Sequence, residues 1–416
     1  MIFKDRLFWG ATALAFWIKF NIVLFTFKPY TATKFYFPLF LLLLLWRGTL
    51  VRAKLAQADW ALWAGGICVL SLLVPMGYLY NPHDWDIYRQ FALSLGSFFV
   101  LFVAAFTLGS RDKRALLWAV YGFCGIALIY LLIQVGFNWN YQPGHFRQAD
   151  VEQRAYGILD DPAHSSAVYF LGFSLTLFWV AENRRRWPLL ILAPLFLFAI
   201  WVSQTLGMFL GLAGMLVIFL GLLPLVWTPF NQGRWALGLI LSWIFGLVVL
   251  IWLANVYWRY GGWLYDWIDV NPKFWSFRLR IDLLFTAIKT ILIHPFVGLG
   301  LANDHNPIIQ EIWGTSHYIP TRHLHQHTTP FAVLVSGGLL SFFPFVFLIY
   351  FSIKAYLTQL QAAPNRSKRL SVLVLFSFFM GVQLVSYSVL MLFSVTYWFA
   401  LILPHLLEGG LVKEPA

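Results

Sequence analysis

Apolar runs of about 20 residues alternate with short polar segments along most of the chain. An α-helix needs roughly 20 apolar residues to cross a bilayer, so each run predicts a membrane span. The runs predict about twelve spans, near residues 7–27, 35–46, 60–80, 91–108, 115–137, 167–181, 189–203, 207–227, 236–257, 329–352, 371–387 and 389–407. The sequence therefore predicts an all-α, polytopic membrane protein with both termini on one side.

Two long polar stretches interrupt this pattern, at residues 138–166 and 258–328. The second has about 70 residues, far more than the usual four to six, and loops this long tend to be functional. We treat residues 1–416 as a single transmembrane domain that carries 258–328 as its large loop.

Part of the 258–328 loop is expected to be helical. Apolar residues recur at helical spacing from Phe277 to Leu292, which predicts an amphipathic helix along the membrane surface. His294 and Pro295 should end this helix, and the glycines that follow should form a turn.

Composition excludes a soluble protein. Hydrophobic residues make up 60% of the chain and charged residues only 11%, whereas soluble domains have about a quarter charged. The net charge of +12 comes from small clusters of basic residues scattered between apolar runs, so we expect no nucleic-acid partner. Both cysteines, Cys68 and Cys124, lie in apolar runs, so we expect no disulfide and no cysteine metal site.

The distribution of charge predicts the orientation. One set of loops and ends carries 17 lysines and arginines against six acidic residues, while the other set carries 11 of each. Cytoplasmic loops are enriched in lysine and arginine, which assigns the first set to the cytoplasm. The 258–328 loop then faces outward.

Histidines cluster near the end of this outer loop. Five of the ten lie there: His305, His317, His323, His325 and His327. Histidine exchanges protons near neutral pH, so the cluster could supply a general base or proton shuttle. In an extended segment, alternate histidines share a face and could bind a metal, but no metal-binding pattern such as His-Glu-x-x-His supports that reading. A merely solvated or structural cluster is the third alternative, and we expect neither metal nor cofactor.

Two outer arginines, Arg154 and Arg278, are candidates for binding phosphate, because a guanidinium group matches phosphate in a bidentate geometry. Headgroup anchoring or pairing with nearby aspartates would explain them equally well. The polar segment 203–205 between two apolar runs indicates either a polar cavity or a tight turn.

Several of these pieces together resemble the O-antigen ligase and polymerase superfamily. They are Arg154 to Gly157, Ser203-Gln204-Thr205, Arg278-Leu279, the run from His294 to Gly300, and His323-Leu324-His325-Gln326 followed by Gly337-Gly338. The resemblance covers roughly residues 150–345.

The resemblance implies a GT-C-like membrane fold with about twelve helices and a large periplasmic loop. Family ligases transfer a polysaccharide from undecaprenyl diphosphate to a sugar hydroxyl of lipid A-core, and the polymerases use a second lipid-linked glycan as acceptor. The chain would then be a glycosyltransferase of the bacterial inner membrane. Its partners would be the glycan donor, the lipid A-core acceptor and membrane lipids.

The resemblance also implies roles for individual residues. His325 corresponds to the presumed base of the ligases, and His327 is the second candidate because its spacing to the following glycines fits better. Family ligases usually carry an arginine at the position of Leu206, so one diphosphate contact is either missing or supplied by another residue, such as Arg322, Arg280 or Arg147. The implied diphosphate and glycan contacts are Arg154, Arg278, Arg280, Arg322, Arg147 and Gln204.

Overall fold

The structure, a computed structural model, describes residues 108–137, 162–203, 206–228, 329–384 and 395–407. It also describes Ala105, parts of 231–248, and residues 288 and 290–299. This described part is 91% helical and contains no strand. Five of its helices are long and apolar enough to cross a membrane, which confirms a helical membrane protein. The predicted spans at 7–27, 35–46 and 60–80, and most of those at 91–108 and 236–257, lie outside the described residues.

Seven α-helices, one of them broken by a kink, make up most of the described part. They are α1 (Ser110–Gly136), α2 (Pro162–Glu182), α3 (Leu192–Val202), α4 (Leu206–Leu222), α5 (Thr329–Ala362), α6 (Arg366–Leu384) and α7 (Val395–Leu407). Two 3₁₀ helices extend them, Arg184–Ile191 before α3 and Leu223–Trp227 after α4.

Helix α6 is the centre of the bundle. Every residue from Ser371 to Gln383 is buried, and α6 packs against α2, α4, α5 and α7. A Cβ added to Gly381 would come within 2.5 Å of the carbonyl oxygen of Gly211 on α4. Small residues at helix contacts let backbones approach closely inside membranes, so glycine at 381 sets the distance between α4 and α6.

Polar side chains link helices inside the apolar core of the bundle, and further large apolar side chains lie on its outer surface. The hydroxyls of Tyr121 and Thr176 lie 3.0 Å apart between α1 and α2, and Ser352 donates a 2.9 Å hydrogen bond from α5 to the carbonyl of Leu401 on α7. By contrast, Ile129 is 59% exposed. This arrangement suits a lipid surrounding, where polar groups must find partners within the protein.

Charged residues join α1, α2 and the first 3₁₀ helix at one end of the bundle. A single carboxylate oxygen of Glu182 accepts from Arg114 at 3.0 Å and from Arg186 at 2.8 Å. The rings of Trp118 and Trp179 stack with centroids 4.2 Å apart, and the Arg186 guanidinium lies 5.3 and 5.0 Å from their centroids.

Other helix ends meet at this same end, which we call the basic end. Three hydrogen bonds tie them together: Lys113 Nζ to the His405 carbonyl (2.8 Å), the Ser367 hydroxyl to the Ala181 carbonyl, and the Arg369 guanidinium to the Thr228 carbonyl (2.8 Å). The junctions that the charge distribution assigns to the cytoplasm therefore lie together.

The helix boundaries differ from the sequence prediction at two places on the basic end. Helix α5 continues to Ala362, about ten residues beyond the predicted end at 352, because residues 353–363 contain no proline or glycine. The span predicted from residue 189 begins at Arg184 as a 3₁₀ helix instead. There the side chain of Asn183 accepts a hydrogen bond from the amide of Arg185.

Candidate functional site

The predicted catalytic and substrate-binding residues lie outside the described residues. These are His325, His327, Arg154, Arg278, Arg280, Arg322, Arg147 and Gln204. The structure does describe the helix ends that are adjacent in sequence to several of these residues. One of those ends contains an unusual backbone contact.

The helix ends in question lie opposite the basic end. Helices α2 and α4 finish at the basic end, at Glu182 and, through the second 3₁₀ helix, near Thr228. Their first residues, Pro162 and Leu206, therefore begin at the other end. Helix α5 also runs toward the basic end, so Thr329, two residues after His327, begins at that opposite end.

Helix α5 is broken near its beginning. Gly338 has φ +60° and ψ −159° inside the helical run, a backbone conformation that is essentially restricted to glycine. The break separates a short half, 329–337, from a long half that reaches Ala362. At 1.5 Å per residue the long half extends about 36 Å, enough to cross the apolar core of a bilayer.

A segment of the loop predicted at 258–328, residues 294–299, inserts into this break. In an unbroken helix the amide of Leu339 would donate to the carbonyl of Val335. Here Leu339 donates to the carbonyl of Pro295 at 2.8 Å, and the carbonyl of Val335 accepts from the amide of Leu299 at 2.8 Å. The inserted segment thus takes both partners of one missing helical hydrogen bond.

A third hydrogen bond extends this contact, from the amide of Leu340 to the carbonyl of Phe296 at 3.1 Å. Backbone groups inside a membrane must be satisfied within the protein, so the insertion is what makes the break in α5 tolerable. We call the contact between residues 294–299 and 335–340 the backbone clasp.

Two glycines make the clasp possible. Gly298 has φ +72°, and a Cβ added to it would lie 2.6 Å from the backbone nitrogens of both Gly337 and Gly338. A Cβ added to Gly338 would collide with the carbonyl of Phe296. Backbone lies against backbone on both sides, so neither position has room for a side chain.

The clasp joins two points that are far apart in sequence. Leu299 and Val335 are hydrogen-bonded, so the two ends of the intervening chain lie together. His325 and His327 belong to that intervening chain. The clasp thus holds together two points of the chain that flank the predicted catalytic residues in sequence.

The short helix before the clasp ends where the sequence predicts. The last helical residue is Ile293, and the amide of His294 still donates to the carbonyl of Thr290 at 2.9 Å. Thr290 is 1% exposed, whereas Leu292 is 76% exposed. The described turn therefore packs on the bundle through a polar residue and presents apolar residues outward, as suits a helix in contact with lipid.

Polar atoms are buried beside the clasp. Within the described residues, neither the Nε2 atom of His294 nor the hydroxyl of Ser341 has a hydrogen-bond partner, and both atoms are inaccessible to solvent. The contact therefore combines burial with backbone pairing, which favours a fixed geometry.

Of the polar segment at 203–205, the structure describes Ser203. Ser203 is buried, and its hydroxyl donates to the carbonyl of Ala199 at 2.8 Å. Only three residues separate the end of α3 at Val202 from the start of α4 at Leu206. Gln204 and Thr205 lie outside the described residues, so the polar cavity and the tight turn both stay predictions.

The described residues contain no group of three or more histidine, cysteine, aspartate or glutamate side chains that could hold a metal. The sequence motifs include Gly298 and Gly338 separately, but nothing in the sequence indicates that the two glycines are in contact. No protein-family model matches the chain, and no curated protein is significantly similar to it.

Proposed function

We propose that this protein is a membrane glycosyltransferase of the O-antigen ligase type. It transfers a polysaccharide from undecaprenyl diphosphate to a sugar hydroxyl of lipid A-core at the periplasmic face of the bacterial inner membrane. The observation that carries the proposal is the backbone clasp. It holds Leu299 and Val335 together, and these two residues flank the segment that contains His325 and His327. The clasp lies toward the end of the bundle opposite the basic end. A base in such a chain would meet water-soluble sugars and a lipid-linked donor at the same place.

The proposed reaction is a single displacement. His325, or His327 in its place, accepts the proton of the acceptor hydroxyl, whose oxygen attacks the anomeric carbon of the donor. The bond to the undecaprenyl diphosphate breaks on the opposite face, so the product has inverted configuration. Arg154 and Arg278 stabilise the charge that develops on the departing diphosphate, with Arg280, Arg322, Arg147 and Gln204 as further contacts. No metal ion takes part.

Charge supports the absence of a metal from the proposed reaction. The outer loops carry as many cations as acids, including all five arginines of the proposed site. Arginine binds phosphate bidentately and keeps its charge in apolar surroundings, so it can replace a divalent ion at the diphosphate.

The test is a transfer assay with purified protein in proteoliposomes. The donor is a glycan on undecaprenyl diphosphate, and the acceptors are lipid A-core and, separately, a second lipid-linked glycan. We expect transfer to lipid A-core, unchanged by EDTA. We also expect His325→Ala to lower kcat by about 10²–10⁴-fold, the usual contribution of general base catalysis.

The exposed Arg111 at the basic end gives a matched control, since Arg111→Gln should transfer at the wild-type rate. Full activity of both His325→Ala and His327→Ala would contradict the proposed base. Transfer only to the second lipid-linked glycan would instead make the protein a polymerase. Loss in EDTA that zinc restores would overturn the metal-independent reaction.

A further inference from the structure

We infer that Gly298 and Gly338 are positioning residues for the transfer reaction, acting through the direction of the short half-helix 329–337. This inference rests on the proposed function. It concerns described residues that bind no substrate in the mechanism above.

The first step of the inference is geometric. A break in a helix sets the angle between its two halves, and here the break is defined by φ +60° and ψ −159° at Gly338 and by three backbone hydrogen bonds. The long half of α5 is fixed within the bundle, where it packs against α6 and α7. The direction of the short half therefore depends on the clasp.

The second step is connectivity. The short half begins at Thr329, directly after the segment that holds His325 and His327. Misplacing a catalytic group by about 1 Å can lower a rate by about 10²-fold. A change of angle at Gly338 would shift Thr329 by more than this, since about nine residues of helix, some 13 Å, lie between them.

The third step is that neither glycine of the clasp leaves room for a side chain. A Cβ at position 298 meets the backbone of residues 336–338, and a Cβ at position 338 meets the backbone of residues 296 and 297. Backbone atoms cannot rotate aside as a flexible side chain can. Alanine at either position must therefore separate the two segments or change the angle of the break.

The experiment compares Gly298→Ala, Gly338→Ala and the double variant with Gly125→Ala. Gly125 is a matched control because it lies in α1, where nothing is within 4 Å of an added Cβ. Each single clasp variant should lower kcat at least tenfold, with the donor KM within about twofold of wild type. The double variant should resemble the worse single variant, because two changes that break one shared contact are not additive.

Hydrogen exchange gives a readout that is independent of activity. In the wild-type protein the amides of Leu299, Leu339 and Leu340 should be protected, and in Gly338→Ala their exchange should rise at least tenfold while α6 keeps its protection. Should the alanine variants fail to fold, Leu299→Ala is a milder change, since Leu299 is 6% exposed and its amide remains. It should raise exchange at Leu339 and lower kcat in the same direction.

Two results would overturn the inference. One is unchanged exchange at Leu339 and Leu340 in Gly338→Ala; the other is increased exchange with a wild-type kcat. If instead the wild-type protein shows no transfer at all, the proposed function fails. Hydrogen exchange at the amides of Leu299, Leu339 and Leu340 would then still show whether the two glycines maintain the break in α5. The two failures are therefore distinguishable.

Discussion

The ammonium group of Lys113 donates a 2.8 Å hydrogen bond to the backbone carbonyl of His405, 292 positions later in the chain. The bond joins α1 to the last turn of α7, where helix carbonyls lack partners within the helix and favour a cation. Lys113 is only 7% exposed. The contact therefore closes the bundle between its first and last described helices.

Replacing Lys113 with methionine should destabilise the protein by about 1.5–3 kcal/mol, the range for a hydrogen bond that involves a charged group. Thermal unfolding in detergent, monitored by size-exclusion chromatography, measures this effect. The control is Arg111→Met, because Arg111 is exposed and should change stability by no more than about 0.5 kcal/mol. Equal stability of the two variants would show that the Lys113 bond contributes nothing.

Glu182→Gln should also destabilise the basic end. The carboxylate is 9% exposed and serves two guanidinium groups, whereas Arg114 and Arg186 are 34% and 25% exposed. Partial exposure screens such pairs, so we expect about 1–2 kcal/mol. A double-mutant cycle with Arg186→Gln should give a coupling energy above about 0.5 kcal/mol, and a value near zero would mean that the ion pair is not formed in the membrane.

Gly381→Ala should separate α4 from α6. The added methyl group would contact the carbonyl of Gly211 and the side chain of Met215, and overpacking of this kind destabilises by about 1–3 kcal/mol. Gly122→Ala adds the same group where nothing lies within 4 Å, so it should be neutral or slightly stabilising. If both alanine variants unfold at the wild-type temperature, α4 and α6 are not in close contact.

The sidedness of the bundle can be measured by cysteine labelling in a Cys68→Ala, Cys124→Ala background. Arg185 is exposed at the basic end, so Arg185→Cys should react with an impermeant maleimide only after the membrane is opened. Gln326→Cys should react in intact spheroplasts, because the charge distribution places 258–328 outside. The opposite pattern would place the histidines in the cytoplasm and remove them from periplasmic chemistry.

Much of the described bundle could be predicted from hydropathy. Runs of apolar residues correctly indicate α1, α2, α4 and the beginning of α5, because a membrane span needs length and apolar character more than any particular residue. Grouping the basic junctions by the positive-inside rule also anticipates that Lys113, Glu182 and Arg369 lie at one end.

The backbone clasp could not be predicted in the same way. Residues 329–352 read as one uninterrupted span, because glycines such as Gly337 and Gly338 are common in membrane-spanning helices. The break depends on residues 295–299, some 40 positions earlier, which take over the hydrogen bonds of Val335 and Leu339. Hydropathy carries no information about such a pairing, and the roles of His325, Arg154 and Arg278 stay predictions from the motifs.

The most direct test of the proposed ligase activity is electrophoresis of lipopolysaccharide from cells that lack the gene. The proposal predicts lipid A-core without polysaccharide, together with accumulated polymer on undecaprenyl diphosphate. Wild-type protein should restore the ladder of long chains, and His325→Ala should not. An unchanged ladder in the deletion strain would contradict the account, and core bearing a single repeat unit would identify a polymerase instead of a ligase.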